Sequence, residues 1–303
     1  MSSPIQAAID LGTNTALMVI GRRRGNRLEI LADLHAVVRL GQGVDAHGLL
    51  ASEAMDRASL QIRTYAQTAR ELGAQRVCAW GTSALRDAAN RELLIERVAR
   101  ESQIKLRPLS GEDEAVLTFL GAGGSLAQPI PYGVIDIGGG STEVALGTPE
   151  HMQFSQSYDV GSVRLSERYF NSLPPNKGAV EQANHHAAEA FKNLPVISPQ
   201  MPLLGVAGTA MVLAALDAKK NRFDDPDLDG YYLPAGRIEG LCQDVLDQDY
   251  AELCTQPAIG TARANIIGAG ALILRACVRQ TGCPGISVSL RGLRYGLLEQ
   301  MFS

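Results

Sequence analysis

Two short stretches of this chain combine an aspartate, glycines and small hydroxyl or amide residues in a pattern suited to holding phosphate. One is Asp10-Leu-Gly12-Thr13-Asn14-Thr15, and the other is Asp136-Ile-Gly138-Gly139-Gly140-Ser141-Thr142. Glycine allows close backbone approach and left-handed conformations, so successive amides can form an anion-binding concavity. Thr13, Asn14, Thr15, Ser141 and Thr142 add side-chain donors. Asp10 and Asp136 repel phosphate and suit a different task, holding Mg²⁺ or orienting a nucleophilic water.

Three further segments bear on phosphate chemistry. Gly205-Val-Ala-Gly208-Thr209 follows an apolar run and opens a helical one, so its amides could meet an anion at a helix N-terminus. Tight strand–helix packing explains those glycines equally well. Ser110-Gly-Glu112-Asp113-Glu114 has the form of a capping box, with carboxylates favoured in a first helical turn. On the segment's own pattern, capping is the better reading of Glu114 than general base. Arg86, in Gly81-Thr-Ser-Ala-Leu-Arg86, could clamp a phosphate bidentately or sit solvated at a helix start. Asp225, Asp227, Asp229 and Gly230 copy the first half of a calcium loop, but Gly236 stands where the closing glutamate should be. That stretch reads as a polar surface loop.

These residues need elements to position them. Each Asp-Gly stretch lies between two apolar runs, so each reads as a strand–turn–strand, and the two repeats begin 126 residues apart. Leu28–Leu31 and Ala36–Leu40 read as further strands. Met55, Ala58, Ile62, Tyr65, Ala69 and Leu72 recur at helical spacing, and Gly73 ends that helix. Further helices are expected from Asn90, from Ser110, over Ser162–Phe170, Lys177–Asn193, Arg237–Leu246, Thr261–Val278 and Leu293–Met301. Short strands are expected at Val77–Trp80, Ile104–Leu109, Leu203–Val206 and Ile286–Val288. The Gly/Ala/Ser/Pro-rich stretch Gly121–Pro131 marks a domain boundary, and strands alternating with helices on both sides give mixed α/β domains.

The chain has 303 residues, a net charge of −4 and a pI near 5.8, which speaks against a broad nucleic-acid surface. Cys78, Cys242, Cys254, Cys277 and Cys283 form no Cys-x-x-Cys pair and read as reduced thiols of a cytoplasmic protein. No leader is expected at the N-terminus. The apolar run Ile266–Leu274 is far short of the roughly 20 residues of a membrane span. The histidines show no zinc spacing, and His185 and His186 read as solvated.

Taken in order, the motifs resemble those of the exopolyphosphatase / guanosine-pentaphosphate phosphatase family of the actin-like and sugar-kinase superfamily. They are Ala8-Ile-Asp10-Leu-Gly12-Thr-Asn-Thr15, Arg39-Leu-Gly-Gln-Gly43, Gly81-Thr-Ser-Ala-Leu-Arg86-Asp-Ala-Ala-Asn90, Ser110-Gly-Glu-Asp-Glu114-Ala, Asp136-Ile-Gly-Gly-Gly-Ser141-Thr-Glu143, Gly161-Ser-Val-Arg164-Leu-Ser-Glu167, Gly205-Val-Ala-Gly208-Thr209 and Gly292-Leu-Arg294-Tyr-Gly296. The resemblance implies two ribonuclease-H-like domains, 1–125 and 126–303, with an interdomain cleft faced by both turns. The C-terminal helix 292–303 is a candidate to pack back on the first domain. It implies Mg²⁺-dependent release of terminal phosphate from inorganic polyphosphate, hydrolysis of pppGpp, or both, with Glu114 as the base. Asp136 and Glu143 match acidic residues near metal and water, with Asp10 as a further metal candidate. Arg86 and the two turns match phosphate binders, and a homodimer is typical. A superfamily kinase and a non-catalytic polyphosphate or (p)ppGpp sensor are the rival readings. Asn265, where Asp is common, and Tyr295, where Glu is common, keep the sensor reading open.

Overall fold

The structure is a computed structural model describing residues 3–25, 27–124, 126 and 130–302. It divides into two compact units. The first comprises Met1–Gly121 with Leu293–Ser303, and the second is Ala122–Gly292.

In the first unit, β1 (Gln6–Leu11) pairs antiparallel with β2 (Thr15–Arg24), and β2 pairs antiparallel with β3 (Arg27–Val37). On its other side β1 pairs parallel with β4 (Arg76–Gly81), which pairs parallel with β5 (Leu106–Pro108). The order is β3-β2-β1-β4-β5. The two strands expected within 28–40 are one long strand that ends at Val37. Every residue of β1 is buried, as a strand covered on both faces requires. Ala7, Ile9 and Leu11 join a core with Ala58, Ile62 and Ala66 of the helix Ser52–Glu71. Ala8 faces the other way, into a cluster with Leu117, Leu293, Leu297 and Leu298. The C-terminal helix Leu293–Gln300 thus lies against the first sheet. Arg294 binds Asp33 of β3 through two hydrogen bonds of 2.7 and 2.8 Å, and Gln6 Nε2 donates to the Met301 carbonyl at 2.9 Å.

The second unit repeats the plan. Strands β6 (Tyr132–Ile137), β7 (Thr142–Thr148) and β8 (His151–Tyr158) form an antiparallel meander. β6 pairs parallel with β9 (Leu203–Val206), and β9 pairs parallel with β11 (Gly285–Val288). A short β10 (Tyr232–Pro234) closes the edge antiparallel, giving the order β10-β11-β9-β6-β7-β8. Each unit is an antiparallel three-strand meander whose first strand continues into a parallel pair, which is the ribonuclease-H-like arrangement.

The helix Ile267–Thr281 is buried on almost every side, which accounts for its lack of a polar face. The sequence periodicity ran it together with the short helix Gly260–Arg263; the two are separate. β8, β10 and the helix Tyr250–Thr255 were not foreseen. No helix of the described residues is long and apolar enough to cross a membrane. The Asp225–Gly230 stretch is a surface turn. Asp225 accepts from Asp227 N, Lys220 reaches both Asp225 and Asp227, and Asp229 accepts from Leu290 N.

Candidate functional site

Within the first unit, Asp10 is the second-last residue of β1 and is buried, opposite Leu17 of β2 and Trp80 of β4. The turn that follows is closed by Gly12 N donating to Thr15 O at 2.8 Å. A Cβ on Gly12 would lie 3.1 Å from that carbonyl, so the turn favours glycine. The Asn14 and Thr13 carbonyls are also bonded within the unit. Val38 and Arg39 donate to Asn14 O, and Gly41 donates to Thr13 O. Gly41 sits so close that a Cβ would come within 2.2 Å of Thr13 Cγ2. Arg39 holds φ at 48°, an uncommon conformation for a side-chain-bearing residue, with its carbonyl and that of Val38 held by Arg57.

Glu114 is the fourth residue of the helix Gly111–Gly123, four past its cap Ser110. Ser110 Oγ accepts from Asp113 N at 3.1 Å and donates to Asp113 Oδ2 at 2.7 Å. The capping reading of this acidic run therefore holds, with Ser110 as the cap and Asp113 as its partner in the first turn. Glu112 and Asp113 are exposed, whereas Glu114 is turned inward and 7% exposed. Arg86, near the end of the short helix Ser83–Asp87, donates from Nη1 to Glu114 Oε2 at 3.0 Å and to Leu109 O at 2.8 Å. The structure thus joins two residues that lie 28 apart in sequence and that the sequence pattern could not pair.

Within the second unit, the turn Gly138–Ser141 copies the first. Gly138 N donates to Ser141 O at 3.0 Å, and a Cβ on Gly138 would stand 3.0 Å from that oxygen. Ser162 N donates to Gly138 O, and Val163 and Arg164 N donate to Gly139 O. With these carbonyls bonded inward, the Gly139 and Gly140 amides donate to no protein acceptor among the described residues. Thr142 is fully buried, and its hydroxyl donates to Val160 O at 2.6 Å. It braces the turn from within, so its hydroxyl is not one of the turn's available donors.

Asp136 of β6 lies directly opposite Glu143 of β7, and Glu143 lies opposite Ser157 of β8. Cross-strand partners share a face of the sheet, so the two carboxylates form a row, continued by the Ser157 hydroxyl, which donates to Glu143 Oε1 at 2.7 Å. Glu143 is 2% exposed. A facing pair of carboxylates with a hydroxyl behind it is a donor set of hard oxygens, which suits Mg²⁺. Among the described residues no three His, Cys, Asp or Glu side chains are gathered into a ready-made metal centre. The second unit offers a pair, and Asp10 belongs to the other unit.

The family is then decided by comparison with known proteins. The model of the Ppx/GppA phosphatase family matches residues 19–303. The chain belongs to the Ppx/GppA phosphatase family. It is 34% identical over 292 residues to exopolyphosphatase 2 of Mycobacterium tuberculosis, covering 90% of each chain. It is 26% identical over 305 residues to a guanosine-5'-triphosphate,3'-diphosphate pyrophosphatase of Vibrio parahaemolyticus, covering 99% of this chain and 60% of that one. The crystal structure of the Aquifex aeolicus family member aligns with a TM-score of 0.83 at 26% identity, over 99% of this chain and 97% of that one.

Against this Ppx/GppA background, the third phosphate-loop candidate takes an unexpected form. β9 leads into the helix Ala207–Asp217 through Ala207, which has φ 62°. Gly208 lies beneath the guanidinium of Arg263, where a Cβ would be 2.8 Å from Nε. Arg263 is 9% exposed and stacks 3.9 Å above the Phe223 ring. Burial lowers its pKa to about 10. A buried guanidinium thus lies against the first turn of this helix, a contact that local sequence does not show because Arg263 and Gly208 meet only through tertiary folding. Thr209 packs against Gly270, whose Cβ would fall 2.4 Å from Thr209 Oγ1. Tyr295 donates from its hydroxyl to Asp33 Oδ2 at 2.7 Å, beside the Arg294 pair. In this chain the residue at that position anchors the C-terminal helix. Asn265 contributes its carbonyl to Ser166 Oγ. His186, expected to be solvated, is half-buried and bonded to Tyr169 OH at 3.0 Å.

Proposed function

We propose that this chain is an exopolyphosphatase that releases terminal orthophosphate from inorganic polyphosphate by attack of a water activated by Glu114. The observation that carries the reading is the Arg86–Glu114 pair, a buried carboxylate hydrogen-bonded to a guanidinium. Hydrolysis of a phosphoanhydride needs an oriented water, a base to take its proton and donors for the charge on the phosphoryl oxygens. Glu114 takes the proton as the water oxygen bonds to the terminal phosphorus. The anhydride P–O bond breaks, and the chain leaves one phosphate shorter. In the first unit Arg86 and the amides of Thr13 and Asn14 bind phosphoryl oxygens; in the second the amides of Gly139 and Gly140 do so, and Arg263 over Gly208 adds a further cation.

Asp136 and Glu143 would hold Mg²⁺, with Asp10 as the matching carboxylate of the first unit. A bound magnesium ion supplies neutralisation of phosphate charge. The resemblance to the family supports a homodimer, and five free thiols support a reducing, cytoplasmic setting. The Vibrio relative named for guanosine-5'-triphosphate,3'-diphosphate favours pppGpp as the second substrate. The test is orthophosphate release from polyphosphates of graded length and from pppGpp, by wild type and Glu114→Gln. The substitution is expected to slow release by about 10²- to 10⁴-fold. Equal rates remove Glu114 from its role, and a preference for pppGpp over every polyphosphate reverses the choice of substrate.

A further inference from the structure

We propose that Arg86 is the positioning residue for the base, one guanidinium that fixes the Glu114 carboxylate on one side and offers its other donors to the phosphoryl group. The proposal rests on the reading of Glu114 as the base. Both hydrogen bonds that Arg86 makes run from Nη1, to Glu114 Oε2 at 3.0 Å and to Leu109 O at 2.8 Å. Its Nε is 4.0 Å from Asp87 Oδ1, too far for a hydrogen bond, and neither Nε nor Nη2 donates to a protein acceptor among the described residues. The side chain is 25% exposed, whereas that of Glu114 is 9% exposed. The committed nitrogen therefore meets the buried carboxylate, while donors of the same rigid fork stay available to a phosphate.

Arg86 is itself held. Its backbone amide donates to Thr82 O, and its carbonyl accepts from Arg91 Nη1 at 2.9 Å. Leu109 N donates to Gly81 O, so the carbonyl that Arg86 grips belongs to a strap fixed to the end of β4. Planarity of the guanidinium then sets the separation between base and phosphoryl group. A lysine keeps the charge but has no fork that can serve both partners.

The test is a double-substitution cycle on the full chain with polyphosphate. Arg86→Lys is expected to lower kcat by on the order of tenfold or more in the wild-type background, and by less than about threefold in the Glu114→Gln background, because contacting residues couple. A residue that only binds phosphate would raise KM and leave kcat alone. A kcat loss of equal size in both backgrounds, or a change confined to KM, overturns the proposal while leaving Glu114 as base. A wild-type rate for Glu114→Gln alone overturns the base assignment and this proposal together. Thermal melting checks the fold of each variant. Arg86→Gln repeats the cycle if the lysine variant melts early; the same coupling then supports the proposal, and its absence overturns it.

Discussion

Gly161→Ala is a perturbation whose effect should reach the Gly138–Ser141 turn, proposed to bind phosphate, without removing any of its donors. Gly161 precedes the helix Ser162–Tyr169 with φ −140° and ψ 162°, extended backbone that alanine adopts without strain. The substitution therefore acts through space alone. The added Cβ would lie 2.4 Å from Gly139 O and 2.5 Å from the carbonyl carbons of Gly139 and Gly140. All of these are backbone atoms of the turn, so no side chain can swing aside. Restoring van der Waals distance moves the turn by about 1 Å, a misplacement that costs on the order of 10²-fold in rate at a positioned site. Overpacking of this kind costs about 1–3 kcal/mol of stability, too little to unfold an ordinary domain. Gly236→Ala is the control, since nothing stands within 4 Å of its Cβ. Orthophosphate release from polyphosphate, measured beside thermal melting, should show Gly161→Ala folded and about a hundredfold slower, with Gly236→Ala unchanged in rate. A folded Gly161→Ala variant within about twofold of the wild-type rate would refute the assignment of this turn to phosphate binding.

Ser157→Ala removes the hydroxyl behind Glu143. Mn²⁺ binding followed by electron paramagnetic resonance should weaken about tenfold, with Ser157→Thr retaining most of the affinity; unchanged binding would place the metal elsewhere. Asp33→Ala leaves Arg294 and the Tyr295 hydroxyl without their shared carboxylate, and urea denaturation should show a loss of about 2–4 kcal/mol. Ser59→Ala tests a pH-dependent link between two helices of the first unit. Ser59 Oγ donates to Glu101 Oε2 at 2.8 Å, and this bond, ahead of Arg97, holds the Glu101 pKa below its ordinary value. A carboxylate lowered in the fold stabilises it above the unfolded pKa, and that contribution disappears as pH falls through the folded value. Ser59→Ala should thus cost about 1 kcal/mol at neutral pH, with the gap to wild type narrowing as the carboxylate protonates; a gap independent of pH would contradict the assignment.

The strands flanking each Asp-Gly turn were legible because apolar runs broken by small polar residues leave few alternatives. The helix Ser52–Glu71 was legible because Ala58, Ile62, Tyr65 and Ala69 keep a strict spacing onto one face. β8 escaped because His151–Tyr158 alternates weakly and carries polar residues on both faces of an edge strand. The Arg86–Glu114 pair escaped for another reason. Local sequence gives Glu114 a sufficient explanation as a first-turn carboxylate beside the Ser110 cap, and only the fold shows that Glu114 turns inward to meet Arg86. The same holds for Gly208, read as a phosphate-loop glycine. Its lack of a side chain is also required by the Arg263 guanidinium above it, a contact between residues far apart in sequence.

The two halves show which parts of the plan are architectural and which are chemical. In both, the first amide of the turn closes on a carbonyl three residues on, from Gly12 to Thr15 and from Gly138 to Ser141. In both, a glycine just past the third strand presses on the turn, Gly41 on Thr13 and Gly161 on Gly139. These features recur because the hairpin end must be braced for its amides to point outward, whatever they bind. The residue opposite the aspartate does not recur: Leu17 faces Asp10, and Glu143 faces Asp136. A second carboxylate opposite the first is repulsive for a sheet, so folding alone gives no reason to retain it. Its presence in one half and absence from the other makes the Asp136–Glu143 row the point where the second hairpin differs chemically from the first, which is the basis of the magnesium proposal. The first half departs differently, through Glu114 and Arg86 on its helices.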